Sequence, residues 1–196
     1  MSDTDPRVER RDFLKLGAAA GVAAAGAGSQ TTAQGQDMGP LRIRRVVTGH
    51  DEDGRSLIAI DEPARPGVPG RENMESSLIW STGSFPADND TTGDGGTRVV
   101  ATADSGGTVF RVVKYFPGVA PRNHRTDSID YAVVISGAID MEMDDETVQL
   151  RQGDVLVQRG TIHNWVNRGT EPCVIAFCLI AANPVGVGGT TLEAVG

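Results

Sequence analysis

A chain of 196 residues with 39% hydrophobic residues is long enough for one domain with a packed core and some additional segments. Its 25 glycines and 10 prolines favour short strands joined by turns over long helices. The formal net charge of −8 argues against nucleic acid as a partner, because the sequence has no basic cluster to neutralise phosphates.

Residues 1–33 are predicted to be an export signal. The segment RRDFLK at 10–15 resembles a twin-arginine motif, although Glu9 stands where the motif usually has Ser or Thr. The Ala- and Gly-rich stretch that follows is too short to span a bilayer, which takes about 20 apolar residues. The resemblance implies export of the folded protein to the periplasm or the cell exterior, with no stable membrane span after signal removal. The alternative is a short Ala-rich helix that stays in the cytoplasm.

Residues 34–96 are predicted to lead into the main domain. Two strand-like runs, 41–49 and 55–62, flank the turn HDEDG and favour a hairpin. A short strand at 76–82 follows. The acidic, glycine-rich segment 83–97 is predicted to be a surface loop that could cover the mouth of a pocket.

Residues 97–182 contain short strand-like segments at a spacing of about ten residues, with no sustained helical period. The predicted strands are RVVATAD (98–104), TVFRVVKYF (108–116), YAVVISGAIDMEMDD (131–145), ETVQLRQ (146–152), DVLVQ (154–158), HNWVN (163–167) and CVIAFCLIA (173–181). Many short strands separated by turns predict an all-β sandwich or barrel. Residues 183–196 are predicted to form a flexible tail or to pack across a partner subunit.

Two of the three histidines, His124 and His163, stand beside these predicted strands, and Asp130 follows His124 by six residues. Two imidazoles and one carboxylate on neighbouring strands are the ligands of a 2-His-1-carboxylate metal site. These three residues are therefore the candidate catalytic and metal-binding set.

The region around His124 resembles the first motif of the cupin superfamily, G-x5-H-x-H-x3/4-E-x6-G. Gly118, His124, Asp130 and Gly137 reproduce its spacing. Thr126 stands at the position of the second histidine, and Asp130 replaces the glutamate.

The second cupin motif, G-x5-P-x-G-x2-H-x3-N, is matched from Gly153 to Asn167. Gln158 replaces the proline and the first spacer is one residue short, whereas the core from Gly160 through His163 to Asn167 is intact. The chain is thus identified as a member of the cupin superfamily, of the single-domain type-2 conserved-barrel kind. The resemblance implies a double-stranded β-helix, or jelly-roll barrel, that is commonly a homodimer.

This resemblance implies a pocket inside the barrel, whose predicted lining residues are Thr126, Gln158, Trp165, Asn167 and Phe177. His124, Asp130 and His163 would bind a divalent metal (Fe, Mn, Ni or Zn), and Thr126 would hold a metal-bound water. Without a metal, the two histidines would act as general acids and bases or as hydrogen-bonding groups in the wall.

The predicted function is that of an exported enzyme acting on a small, mostly neutral or aromatic organic molecule. Its chemistry would be metal-dependent oxidation, as in an oxidoreductase or dioxygenase, or a lyase or isomerase reaction. The alternative is a metal-free binding or regulatory cupin without turnover. Arg122, Arg125 and Arg159 lie near the motif ends, where they could contact an anionic substrate at the pocket mouth or remain solvated at the surface.

Overall fold

The computed structural model describes residues 39–67, 70–89 and 93–196, so the predicted twin-arginine segment lies outside the described residues. In the described ranges the chain forms twelve β-strands, one 3-10 helix and no α-helix. Within those same ranges there is no helix long and apolar enough to cross a membrane. The predicted all-β class is confirmed.

The twelve strands follow one another with short connections over most of the chain. They are β1 Arg44–His50, β2 Ser56–Pro63, β3 Met74–Thr82, β4 Thr108–Tyr115, β5 Ser128–Ser136, β6 Ala138–Glu142, β7 Thr147–Arg151, β8 Val155–Arg159, β9 Asn164–Val166, β10 Cys173–Ala181, β11 Val185–Val187 and β12 Thr190–Leu192. The 3-10 helix spans Gly95–Thr97.

Two antiparallel sheets enclose one hydrophobic core. The larger has the strand order β3-β4-β10-β5-β8, and the smaller has the order β7-β6-β9. Alternate residues of β10 are buried, from Cys173 to Leu179, because successive side chains of a strand point to opposite faces. They pack with Met141 of β6 and Trp165 of β9 in the same core cluster. This architecture is the predicted double-stranded β-helix barrel.

Gly137 allows the chain to pass from β5 in one sheet to β6 in the other. Its φ of +78° is a left-handed conformation that residues with a side chain rarely adopt. A Cβ atom at this position would lie 2.3 Å from the carbonyl oxygen of Pro172. The tight crossing between the two sheets therefore requires glycine.

The hairpin predicted at 41–62 is present as β1 and β2, which pair antiparallel. The buried guanidinium of Arg45 binds both carboxylate oxygens of Asp94 at 2.7 and 2.8 Å, and also Glu62 at 2.6 Å. These bonds connect the hairpin to the acidic segment 83–97. No described residue of that segment lines the central pocket, so the structure gives it no covering role there.

The segment 98–104, predicted to be a strand, is a loop. Val99 at its start is fully exposed. Its polar backbone is held by side chains instead of a strand partner, since Arg111 donates a hydrogen bond to the Ala101 carbonyl. An ion pair of 3.2 Å between Arg98 and Asp104 closes the loop.

The tail at 183–196, predicted to be flexible, contains the hairpin of β11 and β12. Gly188 and Gly189, both with positive φ, form its turn. Beyond the hairpin, Val195 pairs with Arg125 through two backbone hydrogen bonds of 2.9 and 3.0 Å. The tail therefore packs against its own barrel, beside the segment that carries His124.

Candidate active site

His124 and His163 lie side by side because their backbones form an isolated antiparallel bridge. The N–H of each residue donates to the carbonyl oxygen of the other, with both N···O distances 3.0 Å. The ring centroids are 4.1 Å apart and the rings are tilted by 47°. The structure thus brings together the two histidines that the sequence selected.

The Nδ1 atoms of both rings are occupied. Nδ1 of His124 lies 3.1 Å from the Arg122 carbonyl oxygen. Nδ1 of His163 lies 3.0 Å from the Thr161 carbonyl oxygen and 2.8 Å from the side-chain amide of Gln158. These contacts fix the ring orientations and leave Nε2 as the nitrogen of each ring that is available to a ligand.

Both imidazoles are neutral at pH 7. Burial and, to a lesser degree, the positive charge that His163 can carry lower the pKa of His124 to about 4, against a hydrogen bond to the Arg122 carbonyl that raises it. Burial also lowers the pKa of His163. A neutral imidazole can accept a proton, so the pair provides two bases in close contact.

The two histidines line a pocket of about 340 Å³ inside the barrel. Its apolar wall consists of Met74, Val113, Trp165, Phe177 and Leu179. Trp165 contacts the ring of His163 edge-on, with 5.7 Å between centroids, and the ring of Phe177 at 5.5 Å. The predicted pocket residues Trp165 and Phe177 therefore lie in this wall, and both also belong to the core.

Asp130, on the inner face of β5, lines the same pocket. Its Oδ1 accepts a hydrogen bond of 2.5 Å from the Ser128 hydroxyl. Burial raises the pKa of Asp130 to about 6, against the opposing effects of Ser128 and the positive charge of Arg111. Asp130 therefore exchanges its proton near neutral pH, unlike the two histidines.

The described residues do not form the predicted three-ligand metal site. Among them, no three His, Cys, Asp or Glu side chains converge on a position that could hold a metal ion. The Asp130 carboxylate is bound to Ser128, and the hydroxyl of Thr126 also lies 2.8 Å from Ser128. A 2-His-1-carboxylate site would need the Asp130 carboxylate and both imidazoles at one position. The described residues therefore show no site that fits a resident divalent metal.

The other predicted pocket residues, Thr126, Gln158 and Asn167, lie outside the wall of this pocket. Gln158 stands behind the pocket and contacts the ring of His163. The Asn167 amide donates to two backbone carbonyl oxygens, of Tyr115 and Glu171, both at 2.9 Å. Its role is to hold the loop after β9, because all its hydrogen bonds are to the backbone.

Three arginines line the pocket: Arg71, Arg111 and Arg122. The sequence placed Arg122 only at the pocket mouth and gave no role to the other two. Arg125 and Arg159, also considered from the sequence, line outer grooves instead. The sequence contained one indication of this cluster: Arg111 interrupts the apolar run TVFRVVKYF, where a charged residue is unusual.

Comparison with known proteins agrees with this architecture. The family model described as "Cupin domain" matches residues 111–180. The cupin-domain-containing oxidoreductase fogC of Aspergillus ruber is 34% identical over 175 residues, covering 84% of this chain and 85% of that protein. The chain is a cupin.

Other relatives of this cupin also come from fungi. The phomopsin biosynthesis cluster protein C' of Diaporthe leptostromiformis is 36% identical over 162 residues, covering 77% of this chain and 85% of that protein. The cupin-domain-containing oxidoreductase virC of Hypocrea virens is 31% identical over 157 residues, covering 75% of this chain and 80% of that protein. The cupin thus has relatives that are named oxidoreductases and relatives named for biosynthesis clusters.

Proposed function

We propose that this cupin is an enzyme that binds a small organic molecule in the barrel pocket, where His124 and His163 transfer a proton. The observation that supports this proposal best is the contact between two buried imidazoles whose Nε2 atoms are available to a ligand. The names of the relatives place similar chains in the biosynthesis of small molecules and favour an oxidoreductase.

The histidine pair can accept one proton from a bound substrate. Once one ring is protonated, its charge disfavours protonation of the other, which is 4.1 Å away. Asp130, whose pKa is raised to about 6, lines the same pocket and is a candidate to return a proton. Proton removal from carbon or oxygen is a step of oxidation, of isomerisation and of lyase reactions, so the histidines would serve any of the three reaction classes.

Turnover is tested with extracts of small molecules from the organism that produces the protein. The wild-type protein should consume at least one compound that remains unchanged with the double variant His124→Asn and His163→Asn. Both proteins should show the same circular dichroism spectrum, which controls for folding. If the wild-type protein changes no compound in any extract, the cupin is a binding protein without turnover and the proposed enzyme function fails.

The proposed proton transfer has no metal-dependent step. After incubation with Fe, Mn, Ni or Zn and dialysis, we expect well below one metal ion per chain, with no difference between the wild-type protein and the double variant His124→Ala and His163→Ala. Elemental analysis measures the content. One ion per wild-type chain that the double variant loses would show that His124 and His163 bind a metal and would overturn this part of the proposal.

We further propose that the cupin forms a homodimer through the outer face of the larger sheet. Tyr131 of β5 lies on the outer face of this sheet and is 51% exposed. On the neighbouring strand β8, Val155 and Val157 are 74% and 58% exposed, and they pair with Val133 and Tyr131. Apolar patches of more than a few hundred Å² mark interaction sites on soluble proteins.

A second copy fits this face because a two-fold dimer joins the same surface of both subunits. The patch continues from Val157 through Tyr131 to the neighbouring β10 and on to Phe110 of β4, so it is a broad sheet surface instead of a narrow groove. Two such sheets can pack face to face about 10 Å apart. Uncharged apolar residues also need no complementary charge on the partner.

The dimer is tested by sedimentation equilibrium. The wild-type protein should have twice the mass of the chain, and Val157→Lys should yield monomers, since it places a charge within the apolar contact. Val148→Lys is the matched control, because Val148 is an exposed valine on β7 of the other sheet. A monomeric wild-type protein, or equal dissociation by both variants, would contradict the proposed interface.

We also propose export through the twin-arginine pathway, on the strength of the segment at 10–15. Arg10→Lys combined with Arg11→Lys should retain the precursor inside the cell, because the pathway requires the arginine pair. Immunoblots of the cell interior and of the exported fraction measure this. Unchanged export of the double variant would refute the assignment.

A further inference from the structure

The pocket of the proposed enzyme contains three guanidinium groups for which the described part of the chain provides no carboxylate partner. Arg71, Arg111 and Arg122 all line it. The described ion pairs of this protein, within 4.0 Å, involve other arginines. Among the described residues, each of the three arginines donates hydrogen bonds to neutral groups only.

Neutral contacts fix the three arginines but do not compensate their charge. Arg71 donates to the Ala120 carbonyl oxygen, and Arg111 to the Ala101 carbonyl oxygen. Arg122 donates to the Thr102 hydroxyl at 3.2 Å and to the Gly196 carbonyl oxygen at 2.7 Å. The Nε atoms of Arg71 and Arg111 are buried and have no hydrogen-bond partner among the described residues.

This arrangement is electrostatically unfavourable in the absence of a ligand. Burial lowers the pKa of both Arg71 and Arg111, and the nearby charge of Arg122 adds to this effect, against the opposing effects of Tyr115 on both and of Asp130 on Arg111. Asp130 is the only carboxylate among the described residues of the wall, and both histidines are neutral, so these residues give the pocket an excess of positive charge. A partly buried charge without a close partner is unfavourable, and such charges are found where a ligand compensates them.

We infer that the substrate of this pocket is an organic acid whose carboxylate binds the cluster of Arg71, Arg111 and Arg122 while its apolar body lies against Trp165 and Phe177. This inference rests on the proposed function, because it concerns the same pocket, and it replaces the mostly neutral substrate predicted from the sequence. Guanidinium groups bind carboxylates through paired hydrogen bonds, and the pocket volume suits a ligand of the size of a substituted aromatic acid.

The carboxylate would also position the substrate for proton transfer. The arginines and the histidine pair line one pocket, and Arg122 precedes His124 by two residues in the same segment. An acid anchored on the arginines would place its neighbouring carbon atoms toward the Nε2 atoms of the histidines. The arginines would also stabilise the negative charge that forms on the substrate when a proton leaves it.

Paired probes of the same shape test the inference by calorimetric titration of the full chain at pH 7.5. The probes are benzoate, trans-cinnamate and octanoate, each compared with its uncharged amide. We expect at least one acid to bind about 10-fold or more tightly than its amide, as charge-assisted hydrogen bonds predict. Inorganic phosphate, titrated alone, shows whether an oxyanion without an apolar body is sufficient, and we expect it to bind more weakly than the best acid.

Variants of the arginines test whether these residues cause the preference for the acid over its amide. Arg111→Met should reduce the ratio of acid to amide affinity to within about threefold, because Met keeps an unbranched side chain without the charge. Arg122→Met provides a second, independent test in case the first variant does not fold. Arg168→Met is the matched control, since Arg168 is exposed and forms ion pairs with Asp140 and Glu142.

Three results would overturn the inference: equal affinity for every acid and its amide, no binding of any acid up to about 10 mM, or tighter binding of phosphate than of every acid. A preference that Arg111→Met and Arg122→Met leave intact would do the same. Because titration does not need turnover, an acid preference in a protein that transforms nothing would support this inference while the proposed enzyme function failed. Turnover of a neutral compound without any preference for acids would support the proposed enzyme function while this inference failed.

Discussion

Replacing Asp130 with Asn should stabilise the protein, and more so at high pH. Burial raises the pKa of this carboxyl group from 3.8 to about 6, so the folded state loses stability as pH rises through that interval, and the loss persists above pH 6. At 1.36 kcal/mol per pH unit, the cost is about 3 kcal/mol at pH 8 and about half of that at pH 5. Asn has nearly the same shape and keeps an oxygen that can accept the hydrogen bond from Ser128. The gain from Asp130→Asn should therefore be about 1.4 kcal/mol larger at pH 8 than at pH 5.

Urea unfolding at pH 5 and pH 8, followed by tryptophan fluorescence, measures this difference. Comparing the two proteins at each pH cancels the titration of His124 and His163, which are present in both. Asp144→Asn is the control, because Asp144 is exposed in the turn between β6 and β7. This variant should not show the gain in unfolding free energy that we expect from the buried Asp130. If Asp130→Asn has the same effect at both pH values, the carboxylate is stabilised by a cation, with Arg111 the first candidate, and the burial argument fails.

Two matched pairs of variants test the scaffold, each by urea unfolding. Asp94→Ala should lower the free energy of unfolding by about 3 kcal/mol, since it removes the main partner of the buried Arg45, whereas Asp61→Ala, which breaks an exposed pair, should cost less than about 1 kcal/mol. Equal costs would contradict the burial of the first pair. Gly137→Ala should cost about 3 kcal/mol, because its Cβ would meet a carbonyl oxygen at 2.3 Å in addition to the strain of positive φ. Gly153→Ala, with positive φ but open space around it, should cost about 1 kcal/mol, and a similar loss in both would refute the steric argument.

The barrel and its histidine pair could be predicted because they depend on local spacing. The glycines at 118, 137 and 153 all have positive φ, so the motif positions that specify glycine coincide with turns that need it. Such turns fix where each strand begins and thus which residues face inward. The motif spacing therefore predicts that His124 and His163 both face the interior. In the structure their ring centroids are 4.1 Å apart.

The arginine cluster could not be predicted, because both faces of the larger sheet are apolar. On β4, Phe110 and Val112 point outward while Val109 and Val113 point inward. Because both sets are apolar, the sequence does not show whether Arg111 faces the interior or the outside of the barrel. The outward face is apolar for reasons of tertiary structure. One part of it is covered by other segments, and another part is the exposed patch that includes Tyr131. The position of Arg71 in the pocket could not be predicted for a different reason. Arg71 lies in a loop rich in glycine and proline, where no residue periodicity indicates which side chains face inward.

The departures from the cupin motif and the arginines have a common electrostatic explanation. Thr126 brings no charge or imidazole to a position where the motif has a metal ligand, and Asp130 is engaged by Ser128. Arg111 projects into the same pocket from β4, which is separated from the strand of Asp130 by β10 alone. A divalent cation would be repelled by the guanidinium groups, whereas a carboxylate would be attracted by them. If the proposed acid binds here, the three arginines that hold it would also disfavour a divalent cation in the same pocket.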